Sequence, residues 1–160
     1  LALKIGWRFI IMAFINELRL YTDGGCRGNP GPGAIGILIL DFQNNELHSH
    51  AEVIGNCTNN RAEYTALIKG LDLCAKYTRR KVYCFLDSEL VVNHMNGVYR
   101  LKDDSLRELF YNVKRSEQAF AEVIYQQVPR TNNYIRKADR LLNEAFEGRF
   151  PGVPSQGGPG

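Results

Sequence analysis

Leu18-Arg19-Leu20-Tyr21-Thr22-Asp23-Gly24-Gly25-Cys26-Arg27-Gly28-Asn29-Pro30-Gly31-Pro32-Gly33, residues 18–33, decides how the chain is read. Leu18, Leu20 and Thr22 alternate with Arg19, Tyr21 and Asp23, which is the period of two of a strand. The glycines and prolines of residues 24–33 then read as a loop, too broken for helix or strand. Asp23 thus stands at a strand end beside two glycines. A carboxylate there can serve as a metal ligand and leave room for a substrate backbone.

Working outward, residues 34–40 form a continuous apolar run that predicts a buried second strand. Asn44-Asn45 signals a turn, and residues 47–54 return as a third strand, completing an antiparallel meander. Asn59 or Asn60 can cap a helix to about Lys76, with Tyr64, Leu67, Ile68, Leu71, Cys74 and Ala75 on its apolar stripe. Residues 81–87 predict a fourth strand and residues 88–95 a short helix ended by Asn96-Gly97. A helix over 105–118 turns Leu106, Leu109, Phe110 and Val113 inward. A fifth strand over 121–128 stops at Pro129. The last helix, 133–147, carries Ala138, Leu141, Leu142, Ala145 and Phe146 on one stripe. The fold class is α/β: a five-stranded mixed sheet flanked by helices, with strands 1–3 antiparallel and strands 4 and 5 parallel to strand 1. Asp23 and Asp87 then become neighbours at the end of the sheet where α/β folds bind ligands.

Four acids stand out at apparent element ends: Asp23, Glu63, Asp87 and Asp139. Glu63 is expected in the first helical turn, where the helix dipole favours a carboxylate. Singly, each has a plain reading as a turn residue, helix-turn acid, N-cap or solvated charge. Together they imply a site. Clustered like charges need a cation or protonation to offset their repulsion. Oxygen ligands without thiolates favour Mg²⁺ or Mn²⁺ over Zn²⁺. Two such ions about 3.5–4 Å apart can activate water and stabilise a leaving oxygen, which points to phosphoryl chemistry.

The chain has 160 residues, enough for one domain with a core. A net charge of +3 permits a polyanionic partner without demanding one. Cys26, Cys57, Cys74 and Cys84 form no C-x-x-C pair or zinc spacing and read as free thiols of a reducing cytoplasm. His48, His50 and His94 read as surface or strand histidines without a catalytic role. Residues 10–15 are too short to span a bilayer, and no small-residue cleavage site follows them, so no membrane partner is expected. Residues 1–16 read as an N-terminal extension. Its first eleven residues, before Met12, stay open between upstream sequence, a cloning remnant and a genuine arm. Residues 17–148 read as the domain, and 149–160 as a disordered Pro/Gly-rich tail.

These segments carry a resemblance. Tyr21 to Gly33, Thr58-Asn59-Asn60-Arg61-Ala62-Glu63, Leu86-Asp87-Ser88-Glu89-Leu90-Val91-Val92 and Ala138-Asp139-Arg140-Leu141-Leu142-Asn143-Glu144-Ala145 resemble the four motifs of type 1 ribonuclease H, in order and spacing, across about residues 17–148. The resemblance implies a ribonuclease H-like fold and an endonuclease that cuts the RNA strand of RNA–DNA hybrids, leaving 5′-phosphate and 3′-hydroxyl ends. It implies two Mg²⁺ ions, with Mn²⁺ as substitute. Asp23 would bridge them, Glu63 and Asp87 would hold the ion on the attacking-water side, and Asp139 the other. Gly24, Cys26, Gly28, Asn29, Asn59, Asn60 and Glu63 match positions that meet the RNA strand, whose 2′-hydroxyl distinguishes it from DNA. Thr58 matches part of a DNA-phosphate pocket, in which Asn56 replaces the Arg of some members. The resemblance implies a cytoplasmic monomer with no obligate protein partner.

Two departures matter. The loop of residues 129–137 lacks the His of many bacterial members, and Arg130 is the candidate substitute, with Arg136 behind it. The basic protrusion of some members is also missing, which leaves Arg100 and Lys102 as candidate phosphate contacts and Tyr99 as a sugar-packing residue. Rival readings are a recombinase-like nuclease on the same fold, a non-catalytic hybrid-binding module and a domain excised from a polyprotein.

Overall fold

The computed structural model describes residues 15–150; the N-terminal arm before residue 15 and the tail beyond residue 150 lie outside it. In chain order the elements are β1 (Glu17–Cys26), β2 (Gly31–Asp41), β3 (Glu46–Cys57), α1 (Asn59–Cys74), β4 (Lys81–Leu86), α2 (Glu89–Met95), α3 (Asp104–Glu117), β5 (Glu122–Gln127) and α4 (Asn133–Phe146). The sheet runs β3-β2-β1-β4-β5. β1, β2 and β3 pair antiparallel, while β4 lies parallel to β1 and β5 parallel to β4. This is the expected mixed sheet.

Period-two burial builds the two faces. Leu18 and Leu20 of β1, Ile35, Ile37 and Ile39 of β2, and Val82, Cys84 and Leu86 of β4 point to one side. There they meet Tyr64, Leu67 and Leu71 of α1, Val91 and Val92 of α2, and Leu106 and Val113 of α3. Tyr21, Leu38 and Leu40 point to the other side against Ile135 of α4, whose Leu141, Leu142 and Ala145 cover Ala34 and Ala51. A central sheet with helices on both faces buries these stripes.

Several expectations change. Residues 24–33 are not a broad loop: Gly24, Gly25 and Cys26 pair with Ile35, Ala34 and Gly33, leaving only residues 27–30 between strands. A partner strand supplies the ladder that local glycine content disfavours. The cap of α1 is Thr58, whose hydroxyl oxygen accepts the Arg61 N–H at 3.3 Å, rather than Asn59 or Asn60. Glu63 is therefore the fifth helical residue, past the first turn, and Asp139 is the seventh residue of α4. Those two acids sit within helices and not at element ends. His94 lies on α2 and is buried, with Nδ1 2.9 Å from the Tyr64 hydroxyl. Phe110 is only partly buried against the core, and Phe146 lies at its margin.

Candidate active site

β1 and β4 run parallel, so their C-terminal ends open on the same edge of the sheet. Asp23 lies near the end of β1 and Asp87 directly follows β4. Ser88 caps α2 by accepting the Val91 N–H at 3.3 Å, which turns the chain sharply after Asp87. Two glycines then let helices close in. A Cβ on Gly24 would fall 2.3 Å from the Ala62 carbonyl oxygen, so only glycine allows α1 to set Glu63 beside Asp23. Gly36, opposite Asp23 on β2, lies against α4 at Ala138, the residue before Asp139.

Carboxylate oxygens of Asp23, Glu63 and Asp87 lie within 4.8 Å of one another. Asp139 lines the same cavity of about 420 Å³ and reaches the Asp23 carboxyl. The Asn143 amide donates to the Asp139 backbone carbonyl at 3.0 Å and to its carboxylate at 3.4 Å. All four expected acids thus face one cavity.

Asp23 is only 7% exposed and Glu63 9%. Burial, then the negative charges of Asp87 and Asp139, push the Asp23 carboxyl up to about 7. Burial, then Asp23 and Asp87, hold Glu63 well above the usual carboxylate range, against the pull of the Gly24 N–H. Oε2 of Glu63 and Oδ1 of Asp87 are buried without a hydrogen-bond partner among the described residues. Buried carboxylate oxygens left bare, close together and short of positive charge, fit a divalent cation with hard oxygen preference. Asp23, Glu63 and Asp87 would hold it, with Asp139 at hand for a second.

Arg130 Nε donates to Asp87 Oδ2 at 3.2 Å from an almost fully exposed side chain. The expected loop cation therefore reaches the cluster, and the carboxylates keep it charged. Arg136 is exposed and does not line the cavity.

Three of the expected substrate-facing residues, Cys26, Asn29 and Asn59, are tied together by hydrogen bonds. Asn59 Oδ1 accepts the Cys26 N–H at 3.0 Å and its thiol at 3.1 Å, and Asn29 Oδ1 accepts the Asn59 N–H at 3.1 Å. Gly28 turns the intervening loop with φ +82°, the left-handed region that glycine tolerates. Gly24, Cys26, Asn59 and Asn60 line the cavity; Gly28, Asn29 and Thr58 lie outside its lining. Arg100 and Lys102 do not reach it either. They border a second cavity of about 540 Å³ with Tyr99, His94 and Val98, and Asn60 lines both cavities.

Arg27, Asn143 and Phe146 also line the carboxylate cavity and were not expected there. Arg27 lies inside the glycine motif, but its type is not dictated by the turn. Phe146 shares the helical stripe of Leu142 and Ala145, so periodicity alone assigns it to the core.

Comparison with known proteins agrees with this architecture. Residues 21–145 match the family described as reverse transcriptase-like. The chain is 34% identical over 131 residues to ribonuclease HI of Halobacterium salinarum, covering 82% of this chain and 65% of that one. It is 36% identical over 127 residues to a bifunctional protein of Mycobacterium tuberculosis, covering 79% of this chain and 34% of that one. The chain therefore spans about a third of the length of the mycobacterial relatives it matches, 34%. Among solved structures, the ribonuclease H1 of Halobacterium salinarum has a TM-score of 0.78 at 32% identity, covering 82% of this chain and 98% of that one. LC11 ribonuclease H1, solved in complex with an RNA/DNA hybrid, has a TM-score of 0.76 at 40% identity, covering 82% and 97%.

Proposed function

The chain belongs to the type 1 ribonuclease H family, and on that basis we propose that it is an endonuclease hydrolysing the RNA strand of RNA–DNA hybrids. The reading includes two-metal-ion catalysis by Mg²⁺, replaceable by Mn²⁺, with 5′-phosphate and 3′-hydroxyl products. The observation that carries it is the set of carboxylates from β1, α1 and the end of β4 within 4.8 Å, with bare buried oxygens and Asp139 in the same cavity.

In this reading Asp23, Glu63 and Asp87 would hold the ion that activates the attacking water, and Asp139 would help Asp23 hold a second. The ions when bound lower the pKa of water and neutralise charge at the phosphate. The chain's own groups orient the substrate. The backbone of residues 24–29 stays low because three glycines carry no side chain, so the RNA strand can approach closely. Asn29 and Asn59 hold each other and Cys26 in place, which presents amide groups to the minor groove and its 2′-hydroxyls. Thr58 uses its oxygen on the helix N–H, and its hydroxyl proton remains available to a DNA phosphate. Arg130 adds positive charge on the leaving-group side and, as a guanidinium, acts by charge and not by giving up a proton. Arg100 and Lys102, with Tyr99, extend the grip along the second cavity through electrostatic contact with phosphates.

Residues 17–148 would suffice as the catalytic unit, acting as a monomer in the cytoplasm. Among the described residues no helix is long and apolar enough to cross a membrane. The deciding experiment is cleavage of a labelled RNA–DNA hybrid with Mg²⁺ and with EDTA, beside an Asp87→Asn variant. RNA–RNA and DNA–DNA duplexes serve as controls. Metal-dependent loss of the hybrid's RNA strand alone, abolished in the variant, supports the proposal. Hybrid binding without cleavage would replace it with a binding module, and cleavage of the DNA duplex with a recombinase-like nuclease.

A further inference from the structure

Two cationic side chains line the carboxylate cavity, and they are held differently. Arg130 is paired with Asp87. Arg27 is not paired with any carboxylate among the described residues. Its guanidinium lies 4.5 Å from the centroid of the Phe146 ring, and the side chain makes no hydrogen bond or ion pair with a described residue. Its backbone N–H is committed to the Pro32 carbonyl at 2.8 Å, which anchors the loop from which the side chain springs.

The nature of this support matters. A carboxylate partner would neutralise the guanidinium. An aromatic face steadies it and leaves its charge and its edge N–H groups free. The cavity behind it holds four carboxylates, which repel any phosphodiester that enters. A cation fixed at the rim, uncommitted and planar, fits the bidentate recognition of a phosphate. Its position is also defined. Arg27 follows Cys26 on the loop tied to Asn59, and Phe146 ends the helix that carries Asp139.

We propose that Arg27, steadied by Phe146, grips an RNA-strand phosphate adjacent to the scissile one, on the Asp139 side of the site. Arg27 is then a substrate-binding residue that sets the register of the RNA strand, and Phe146 is a positioning residue acting through it. The inference rests on the hybrid as ligand, and on no metal ion.

The test measures hybrid binding by fluorescence anisotropy in EDTA at rising KCl for wild type, Arg27→Ala, Arg27→Lys, Phe146→Leu and Phe146→Tyr. Removing one phosphate interaction lowers the slope of log affinity against log salt by about 0.9 for duplex and about 0.7 for single-strand geometry. Arg27→Ala is expected to show that drop, with KM raised about 5- to 10-fold and kcat within about twofold, the pattern of a weakened uniform binding interaction. Phe146→Leu should reproduce part of the effect and Phe146→Tyr should restore it. Arg27→Lys should keep the slope but bind more weakly, because the planar fork is gone.

A single methylphosphonate walked along the RNA strand provides the second readout. One position should weaken wild type and leave Arg27→Ala indifferent. An unchanged slope in Arg27→Ala, or the same methylphosphonate profile in both proteins, would overturn the proposal, as would a loss of thermal stability with no change in slope. Wild-type cleavage is recorded alongside. Binding with an Arg27-dependent slope but no cleavage would remove the catalytic reading and leave this one. Cleavage with an Arg27-independent slope would do the reverse.

Discussion

Gly36 lies so close to Ala138 that a Cβ on the glycine would come within 2.0 Å of the Ala138 carbonyl oxygen. Gly36 is also the residue opposite Asp23 in the β1/β2 ladder. One missing side chain therefore controls how near α4, and with it Asp139, approaches the central carboxylate.

Gly36→Ala is expected to push α4 outward. Overpacking of this kind costs about 1–3 kcal/mol. An ångström-scale displacement of Asp139 should lower turnover by about 10-fold or more. Gly25→Ala is the comparison, because its nearest neighbour would be Asn59 Oδ1 at 3.9 Å, an ordinary contact. Its stability should stay within about 0.5 kcal/mol of wild type. Urea unfolding of both variants and kcat of Gly36→Ala check this, and an equal loss of stability in the two would contradict the packing argument.

Asp23→Asn should stabilise the cation-free protein while removing activity. The folded carboxyl is pushed up to about 7 from an ordinary 3.8, by burial and by Asp87 and Asp139. Between those values the folded state keeps a proton that the unfolded state has released. Stability therefore falls as pH rises through that window, and the full penalty is present above it. In EDTA at about pH 8 the variant should melt several degrees above wild type, since about 1 kcal/mol moves Tm by roughly 2–8 °C. The difference should vanish below about pH 4. A variant that melts lower at high pH would refute the claim that the cluster is self-repelling.

Divalent cations should raise the melting temperature of wild type with the logarithm of their concentration. A cation at about 100 times its Kd contributes about 2.7 kcal/mol. The gain should be largely abolished in Asp23→Asn and Asp87→Asn, because both remove ligands of the triad. Calorimetry with Mg²⁺ and Mn²⁺ measures it, and an equal gain in all three proteins would place the ions elsewhere.

Arg130→Ala should lower kcat by about 10-fold with little change in KM, since charge near developing negative charge acts in the transition state. Arg130→Lys should retain part of the activity. Turnover unchanged in the alanine variant would reduce the Arg130–Asp87 contact at 3.2 Å to a surface ion pair.

The double variant Arg100→Ala/Lys102→Ala should flatten the salt dependence of hybrid binding by about 1.8, or about 0.9 for each phosphate no longer neutralised. Anisotropy against KCl reads it directly. A parallel line with the wild-type slope would leave both residues as solvated charges at the rim of the second cavity.

The four acids were legible because each lies in a motif whose neighbours are constrained: glycines after Asp23, a helix cap before Glu63, a strand before Asp87 and a helical stripe around Asp139. The antiparallel meander and the parallel run of β4 beside β1 followed from period-two patterning and from the crossover through α1. The extent of β1 was not legible. Gly24 and Gly25 have weak strand preference, and their pairing depends on a partner nine or more residues away. His94 was misplaced because its hydrogen-bond partner in the buried interior, Tyr64, lies thirty residues away. Phe146 reads as core in any helical wheel. Its contact with Arg27 and its place in the cavity wall depend on a loop far away in sequence.

β1 occupies the middle of the sheet, bound to β2 on one side and β4 on the other. Freeing all the amides of residues 17–21 requires both ladders to break, so that part of β1 belongs with the slowest-exchanging backbone of the protein. α4 packs on one face of that sheet and has no helix beyond it among the described elements. An opening that lifts α4 alone would carry off Asp139 and leave Asp23, Glu63 and Asp87 in register. Such an opening would be visible as fast exchange in α4 above protected β1 amides.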